Sequence, residues 1–175
     1  MADGERTVIE AFEREMARTK FLCEAALRQV DDAGLHATLS PRQNSLAAIV
    51  QHLAGNMDSR FTDFLTSDGE KATRNREGEF VDRHLGRADL MALWERGWKA
   101  AMDTLAGLTD ADLGRIVRIR NEPHTVALAL TRQAVHQGWH AGQIALLAKH
   151  LAGEKWAYLT IPPGGTAAFN AARGV

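Results

Sequence analysis

The stretch AVHQGWHAGQI, residues 134–144, lies in a long helix-compatible run near the C-terminus. In a helix, His136 and His140 are one turn apart and project from the same side. Apolar residues border that side on both flanks: Val126, Ile144 and Leu151 on one, Val135, Trp139 and Leu146 on the other. The pattern therefore predicts two imidazoles near the centre of an apolar helix face, where a polar group needs a partner.

Two imidazoles on successive helical turns can bind one divalent metal ion, as the helical His pairs of zinc proteases do. Those proteases use a glutamate directly after the first histidine as general base, but here Gln137 follows His136. We therefore exclude a protease. The alternative to a metal site is that both histidines are hydrogen-bonded core residues.

A third ligand is expected from the segment Leu46–Leu65, which predicts a helix with Asn44 or Ser45 as its N-cap. Beside its apolar face runs a polar stripe that comprises His52, Asn56, Ser59 and Asp63. Such a stripe is often simply solvated, but His52 borders the apolar residues and is the best candidate for the ligand. Three neutral imidazoles with an open fourth position suit one divalent transition metal, Zn²⁺, Ni²⁺ or Fe²⁺.

Two further segments, Thr7–Val30 and Ala88–Leu108, show apolar residues at helical spacing, and a final helix capped by Thr125 is expected to reach about Ala152 and stop at Gly153. The first segment is followed by Gly34 and a connector that runs through Pro41. Core positions include Trp94 and Trp98, one turn apart, and Cys23, which we interpret as a buried thiol rather than a nucleophile.

The segment between the second and third predicted helices is rich in charged residues. Thr66–Arg87 is predicted to be a long loop, in which Arg74 and Arg76 are expected to pair with Glu77 and Glu79 rather than bind an anion.

Gly114–Thr125 alternates apolar and charged residues and predicts a small hairpin or an extended crossover, and the apolar tail Trp156–Gly165 is expected to pack back irregularly on the helices. Three other histidines fall in loops or at helix ends, where a solvated role is expected: His36, His84 and His124. His150 lies about 21 Å beyond His136 along the helix, too far to share its ion.

Length and composition limit the function classes. A chain of 175 residues predicts one domain, residues 1–175. A formal net charge of -1 gives no reason to expect nucleic acid or an anionic membrane as partner, so Arg115, Arg118 and Arg120 are interpreted as an ordinary exposed strand. One cysteine excludes an intramolecular disulfide and a thiolate-rich zinc site. The polar N-terminus and the lack of a long apolar run make a soluble cytoplasmic protein the default expectation.

The chain resembles the DinB-like superfamily of metal-binding four-helix bundles, which are related to bacterial thiol S-transferases. The resemblance is carried by SLAAIVQHL, residues 45–53, and HQGWHAGQI, residues 136–144. Within the superfamily the chain is similar to a branch of unassigned function, through GNMDSRFTDFLTSDGEK, residues 55–71, and the segment Ile161–Gly165. One departure is Glu77, where that branch usually has Asp after the two arginines.

The resemblance implies an all-α, up-down four-helix bundle of DinB type, with a short extended segment before the last helix and an irregular C-terminal tail. It implies a metal site formed by His52, His136 and His140, and a homodimer. The S-transferase relatives use the ion to activate a low-molecular-weight thiol for attack on an electrophile.

From these considerations we expect a metal-dependent transferase that activates a small thiol or water, with no catalytic side chain assigned. The alternative is a non-catalytic, metal-stabilised or ligand-binding protein related to stress. Candidates for contact with the substrate or with the metal ligands are Asn56, Arg60, Asp63 and Gln143.

Overall fold

The structure of the protein, a computed structural model, describes residues 6–174 and is mostly helical. Its helices are α1 (Thr7–Leu27), α2 (Asp32–His36), α3 (Leu46–Phe61), α4 (Arg76–Glu79), α5 (Arg87–Ala106), α6 (Val126–Ala152) and α7 (Thr166–Ala171). Its strands are β1 (Ile116–Ile119) and β2 (Glu122–Thr125), and 3₁₀ turns occupy Asp110–Asp112 and Gly153–Lys155. Within the described range, none of the helices has the length and apolar character needed to cross a membrane.

The four long helices α1, α3, α5 and α6 contribute to a common hydrophobic core. α3 packs along α5 and α1 packs along α6, whereas α3 and α6 share a smaller contact. The α3–α5 pair approaches closely because Gly97 faces Ala54, where a Cβ on the glycine would lie 2.9 Å from the Ala54 Cα. Trp94 and Trp98 are buried, as predicted, with ring centroids 5.4 Å apart.

Local signals set the ends of the two helices that carry the histidines. The Ser45 hydroxyl accepts a hydrogen bond from the Ala48 amide at the start of α3, and the Thr125 hydroxyl accepts one from the Leu128 amide at the start of α6. Each satisfies an amide that has no partner within its own helix. α6 ends at Gly153, whose φ of 55° is easily adopted only by glycine. These bounds confirm the predicted ones.

The predictions are wrong at two places, in the connector after the first helix and at the end of α3. The connector expected after the first helix contains α2, because the Asp31 carboxylate accepts a hydrogen bond from the Gly34 amide and starts a new helical turn. α3 ends at Phe61 rather than Leu65, and Asp63 adopts a φ of 50°, which cannot continue a right-handed helix.

The segment between α3 and α5 is largely irregular, as predicted, but side chains of α3 tie it down. Ser59 donates its hydroxyl proton to the Gly69 carbonyl and accepts a hydrogen bond from the Lys71 amide. The Gln51 amide donates to the Val81 carbonyl and accepts from the Arg83 amide. These bonds hold α4 and the residues after it against the face of α3 that carries His52.

β1 and β2 form an antiparallel hairpin, which decides between the hairpin and the crossover. Arg120 and Asn121 have φ values of 55° and 63°, as a two-residue hairpin turn requires at both positions. The Asp68 carboxylate accepts hydrogen bonds from both of their amides. The hairpin is thereby fastened to the segment after α3.

The C-terminal tail packs back on the helices, as predicted, through Trp156 and Leu159. Gln29, just after α1, fastens it by exchanging two hydrogen bonds with the backbone of Ala157. Residues Trp156–Gly165 are irregular, as predicted, and the short helix α7 follows them.

Candidate metal centre

Three histidines from two helices meet at one point. One ring nitrogen from each of His52, His136 and His140 lies within 4.8 Å of the other two. The Nε2 atoms of His52 and His136 are 3.2 Å apart, and the ring centroids of the three pairs are 4.7 to 5.2 Å apart. α3 supplies the first histidine and successive turns of α6 supply the others, as the sequence predicted.

The distance between the ring nitrogens of His52 and His136 fits one shared ion. Two imidazole nitrogens bound about 2.1 Å from a metal lie roughly 3.0 Å apart at a right angle and roughly 3.4 Å apart at a tetrahedral angle. The observed 3.2 Å between the Nε2 atoms falls between these values. A hydrogen bond between two neutral rings also fits that distance, but it does not require a third ring nitrogen at the same point. The set of three imidazoles is therefore one that can hold a borderline divalent metal.

The position of the histidines around α6 differs from the prediction. The centre of the buried face carries Gln133 and Gln137, which are 6% and 1% exposed, whereas His136 and His140 lie half-buried at its border. The expectation that both imidazoles occupy the middle of the apolar face is thus wrong. α6 is rotated so that the two rings reach His52 on one side and solvent on the other.

Both half-buried rings are held in the neutral form. Burial, together with the neighbouring His140 and His52, lowers the pKa of His136 to about 3. Burial also lowers the pKa of His140, against the hydrogen bond to Gln143 that raises it. At neutral pH each ring therefore keeps a free lone pair, which metal binding requires.

His52 is oriented by a buried carboxylate. Its Nδ1 lies 2.9 Å from Glu79 Oε2, and Arg74 donates to both oxygens of Glu79 at 2.7 Å. Burial by itself raises the pKa of Glu79, but the hydrogen bonds from Arg74 and His52 bring it below its ordinary value. The ionised carboxylate makes Nδ1 the protonated nitrogen of His52 and directs the Nε2 lone pair at the other two rings.

Glycine at position 55 makes room for this carboxylate. A Cβ on Gly55 would lie 2.5 Å from Glu79 Oε1, so a larger residue would push Glu79 away from α3. Phe80 then stacks on the imidazole of His52, with centroids 4.4 Å apart and planes 25° from parallel. Both Glu79 and Phe80 hold His52 from the segment after α3.

Neither of these two contacts was predicted. The expected pairing of Arg74 and Arg76 with these two glutamates is confirmed, with Arg74 bound to Glu79 and Arg76 to Glu77, but the role of Glu79 toward His52 was not predicted. The available signal was that a buried histidine needs a partner for its second nitrogen. No periodicity relates that partner to the histidine, because the two are 27 positions apart and irregular chain separates α3 from α4.

The other two rings differ in how they are supported. His140 Nδ1 lies 3.0 Å from Gln143 Oε1, so the amide oxygen can fix the tautomer of this ring as Glu79 does for His52. His136 Nδ1 is buried and has no hydrogen-bond partner among residues 6–174.

A cavity of about 400 Å³ opens beside the histidines. Its lining combines the three histidines with the polar residues Asn56 and Gln133, the apolar residues Phe80, Ile119 and Ala129, and the arginines Arg60, Arg74, Arg76, Arg120 and Arg132. Asn56 accepts a hydrogen bond from Gln133, which joins α3 to α6 on the cavity wall. Of the described residues that line the cavity, none is Asp or Glu.

The residues expected near the site divide into two groups. Asn56 and Arg60 line the cavity and Gln143 contacts His140. Asp63 does not reach the cavity, because α3 ends before it and its backbone turns into the left-handed region. It is exposed, and its carbonyl accepts hydrogen bonds from the amides of Thr66 and Ser67.

Of the remaining histidines, only some have the solvated role expected of them. His124 is buried, donates from Nδ1 to the Glu122 carbonyl and lies beside the guanidinium of Arg132, so the expectation for it is wrong. His36 is half-buried and bonds to Asp82, which with the exposed His84 forms a second group of potential metal ligands. Ser45 donates its hydroxyl proton to Asp82 at 2.6 Å, so this group also adjoins the start of α3.

The chain was compared with known protein families and with curated proteins. A family model described as "Protein of unknown function (DUF1572)" matches residues 4–165, a range that includes all three histidines, Glu79 and the cavity wall. No curated protein matches the chain.

Proposed function

Because the chain belongs to the DUF1572 family, to whose members no function is assigned, we propose a function from the chemistry of the site: the protein binds one divalent transition metal through His52, His136 and His140. Zn²⁺, Ni²⁺ and Fe²⁺ all suit three neutral imidazoles. We propose that residues 1–175 form one domain, an up-down four-helix bundle of DinB type. The four long helices that share one core support this assignment.

The observation that carries the proposal is the meeting of three ring nitrogens at the wall of an open cavity. A structural zinc site is usually closed by four protein ligands, whereas a catalytic site keeps one position for water or substrate. His136 and His140 are half-buried and line the cavity, so a ligand can approach the point where the nitrogens meet. This supports a reactive site over a purely structural one.

The chemistry that we propose is transfer of a small thiol to an electrophile. A divalent ion at this point would lower the pKa of a thiol or water that reaches it, and so supply a nucleophile at neutral pH. Glu79 and Gln143 hold the rings of His52 and His140 in the orientation that this requires. Since no carboxylate among the described lining residues can act as a general base, a thiol, with an ordinary pKa of about 8–9, suits the site better than water.

The second candidate is a metal-stabilised protein without turnover. It is favoured by the small contact between α3 and α6, since the three histidines come from these two helices and a shared ion would join them. Both candidates predict that metal raises the melting temperature. Only the first predicts transfer of a low-molecular-weight thiol to an electrophile such as an aryl halide.

We also propose a homodimer. A stripe of exposed apolar residues on α6 supports it: Leu128, Val135, Trp139 and Leu146, of which Trp139 is 70% exposed. Burial of such a stripe against a second copy would remove apolar surface from water.

The metal proposal is tested by metal analysis of protein purified without a His-tag. The wild type is expected to hold one ion per chain, and His136→Ala to lose it. His150→Ala is the matched control, because His150 is exposed on the same helix and lies outside the cluster. Equal metal content in the wild type and His136→Ala would contradict the proposal.

A further inference from the structure

We infer that the end of the cavity formed by Arg60, Arg120 and Arg132 binds an oxyanion, the carboxylate or phosphate group of an elongated substrate. The inference deepens the proposed function and rests on it only in taking the cavity as the substrate site. It names a class of substrate: a molecule with its reacting end at the histidines and a negative charge at the far end.

Five arginines line the cavity, and two of them are already paired. Arg74 is 4% exposed and donates to both oxygens of Glu79, so it serves His52. Arg76 pairs with Glu77 at the surface. The other three arginines have no comparable partner.

One carboxylate is shared among several of these guanidinium groups. Glu70 lies 3.3 Å from Arg60, 3.2 Å from Arg74 and 3.3 Å from Arg120. Bonds between guanidinium and carboxylate groups are normally about 2.7–2.9 Å long, so each of these contacts is long. Since Arg74 is already paired with Glu79, the single negative charge of Glu70 is left to be shared by Arg60 and Arg120.

Arg60 has a donor that nothing satisfies. Its side chain is 15% exposed, and Nη1 is buried without a hydrogen-bond partner in the part of the chain that the structure describes. An unpaired buried donor on a charged group is costly, so the positive charge of Arg60 is poorly compensated by the residues around it.

Arg132 faces the same cavity from α6. Its guanidinium lies beside a ring nitrogen of His124, and it forms no ion pair with a carboxylate of residues 6–174. Guanidinium groups bind carboxylates and phosphates through two parallel hydrogen bonds. Arg60 and Arg132 therefore offer donors from two different helices to one oxyanion.

The spacing along α3 gives the length of the ligand. His52, Asn56 and Arg60 follow one another at intervals of one turn, so the first and last lie about 12 Å apart along the helix axis. A molecule that reaches from the histidines to the arginines must extend on the order of 10 Å, past the amide of Asn56. This excludes a compact anion as the whole substrate, although a compact anion can occupy the arginine end alone.

The test measures binding of sulfate and of succinate by calorimetry, with metal-free and metal-loaded protein. Binding of either anion by the wild type is expected, and the preference shows whether the end suits a tetrahedral oxyanion or a carboxylate. Arg132→Gln and Arg120→Gln are each expected to weaken it about tenfold or more, the loss of a hydrogen bond to a charged group. Arg118→Gln is the matched control, because Arg118 is exposed on the same hairpin, bonds to the Asn121 carbonyl and does not line the cavity.

The outcomes separate this inference from the metal proposal. His136→Ala is expected to lose metal and still bind the anion, because the arginines that hold it are intact. Wild-type protein that holds metal but binds neither anion overturns this inference and leaves the metal site standing. Equal weakening by Arg118→Gln also overturns it, because binding would then follow net charge and not the cavity.

Discussion

Replacement of Gly55 by alanine tests whether the carboxylate behind His52 governs metal affinity. The new Cβ would lie 2.5 Å from Oε1, 2.8 Å from Cδ and 3.1 Å from Cγ of Glu79. Unstrained contacts of this kind begin near 3.4 Å, so the carboxylate must retreat by roughly 1 Å. Glu79 cannot retreat freely, because Arg74 and His52 hold both of its oxygens.

A retreat of that size breaks the support of one ligand. The 2.9 Å contact between His52 Nδ1 and Glu79 would lengthen beyond hydrogen-bond range. Loss of such a partner typically costs 10–100-fold in metal affinity, so we expect the dissociation constant of Gly55→Ala to rise by about that factor. Alanine also gains up to about 1 kcal/mol over glycine inside a helix, which offsets part of any loss of stability in the metal-free protein.

The assay is a Zn²⁺ titration against a competing chelator, together with urea unfolding of the metal-free protein. Gly142→Ala is the matched control, because it makes the same change within α6 and its Cβ would meet no atom within 4 Å. We expect it to be stabilised by up to about 1 kcal/mol, with its metal affinity unchanged. The double variant Gly55→Ala/Glu79→Gln should lose less metal affinity than the sum of the losses in the two single variants, since both substitutions act on the contact between Glu79 and His52. Wild-type metal affinity in Gly55→Ala would refute the reasoning.

Three further predictions concern single buried groups. The metal-free protein should lose stability as the pH falls from 6.5 toward about 3. The reason is that burial keeps His136 neutral in the folded state, whereas the same histidine takes up a proton in the unfolded chain. The contribution of His136 to the free energy of unfolding is therefore complete above pH 6.5. Urea unfolding at several pH values should show a smaller dependence in His136→Ala, and an identical dependence would contradict the assignment. Gln137→Met should raise the free energy of unfolding by about 1–3 kcal/mol, because both polar atoms of the buried amide have no hydrogen-bond partner within residues 6–174. A lower free energy of unfolding would show that these atoms do have partners. Native Cys23 should resist iodoacetamide at neutral pH, because burial raises the pKa of its thiol to about 12; mass spectrometry should find labelling only after unfolding, and rapid labelling of the native protein would disprove it.

The main helices and the cluster of three histidines could be predicted from local patterns in the chain. Periodic apolar residues and caps act within one or two helical turns, so they are legible without knowledge of the fold. Ser45, Thr125 and Gly153 end or begin helices where the sequence predicted. The pair His136 and His140 likewise follows from spacing alone.

Tertiary structure decided how α6 is rotated and what supports the histidines. α6 has apolar residues around most of its circumference, including the exposed Val135, Trp139 and Leu146, so its sequence pattern does not single out the face that is buried. Packing against α1 and α3 selected the face with Gln137 at its centre.

The partners of the site come from irregular chain, where no period relates one residue to another. Glu79 reaches His52 because Gln51 and Ser59 hold the intervening segment against α3, and Glu70 gathers arginines from α3 and the hairpin. Such contacts depend on the path of the backbone through space, which only the packed structure contains. The histidine cluster was therefore predictable from helical spacing, whereas the groups that orient its rings and the arginines that face the cavity were not.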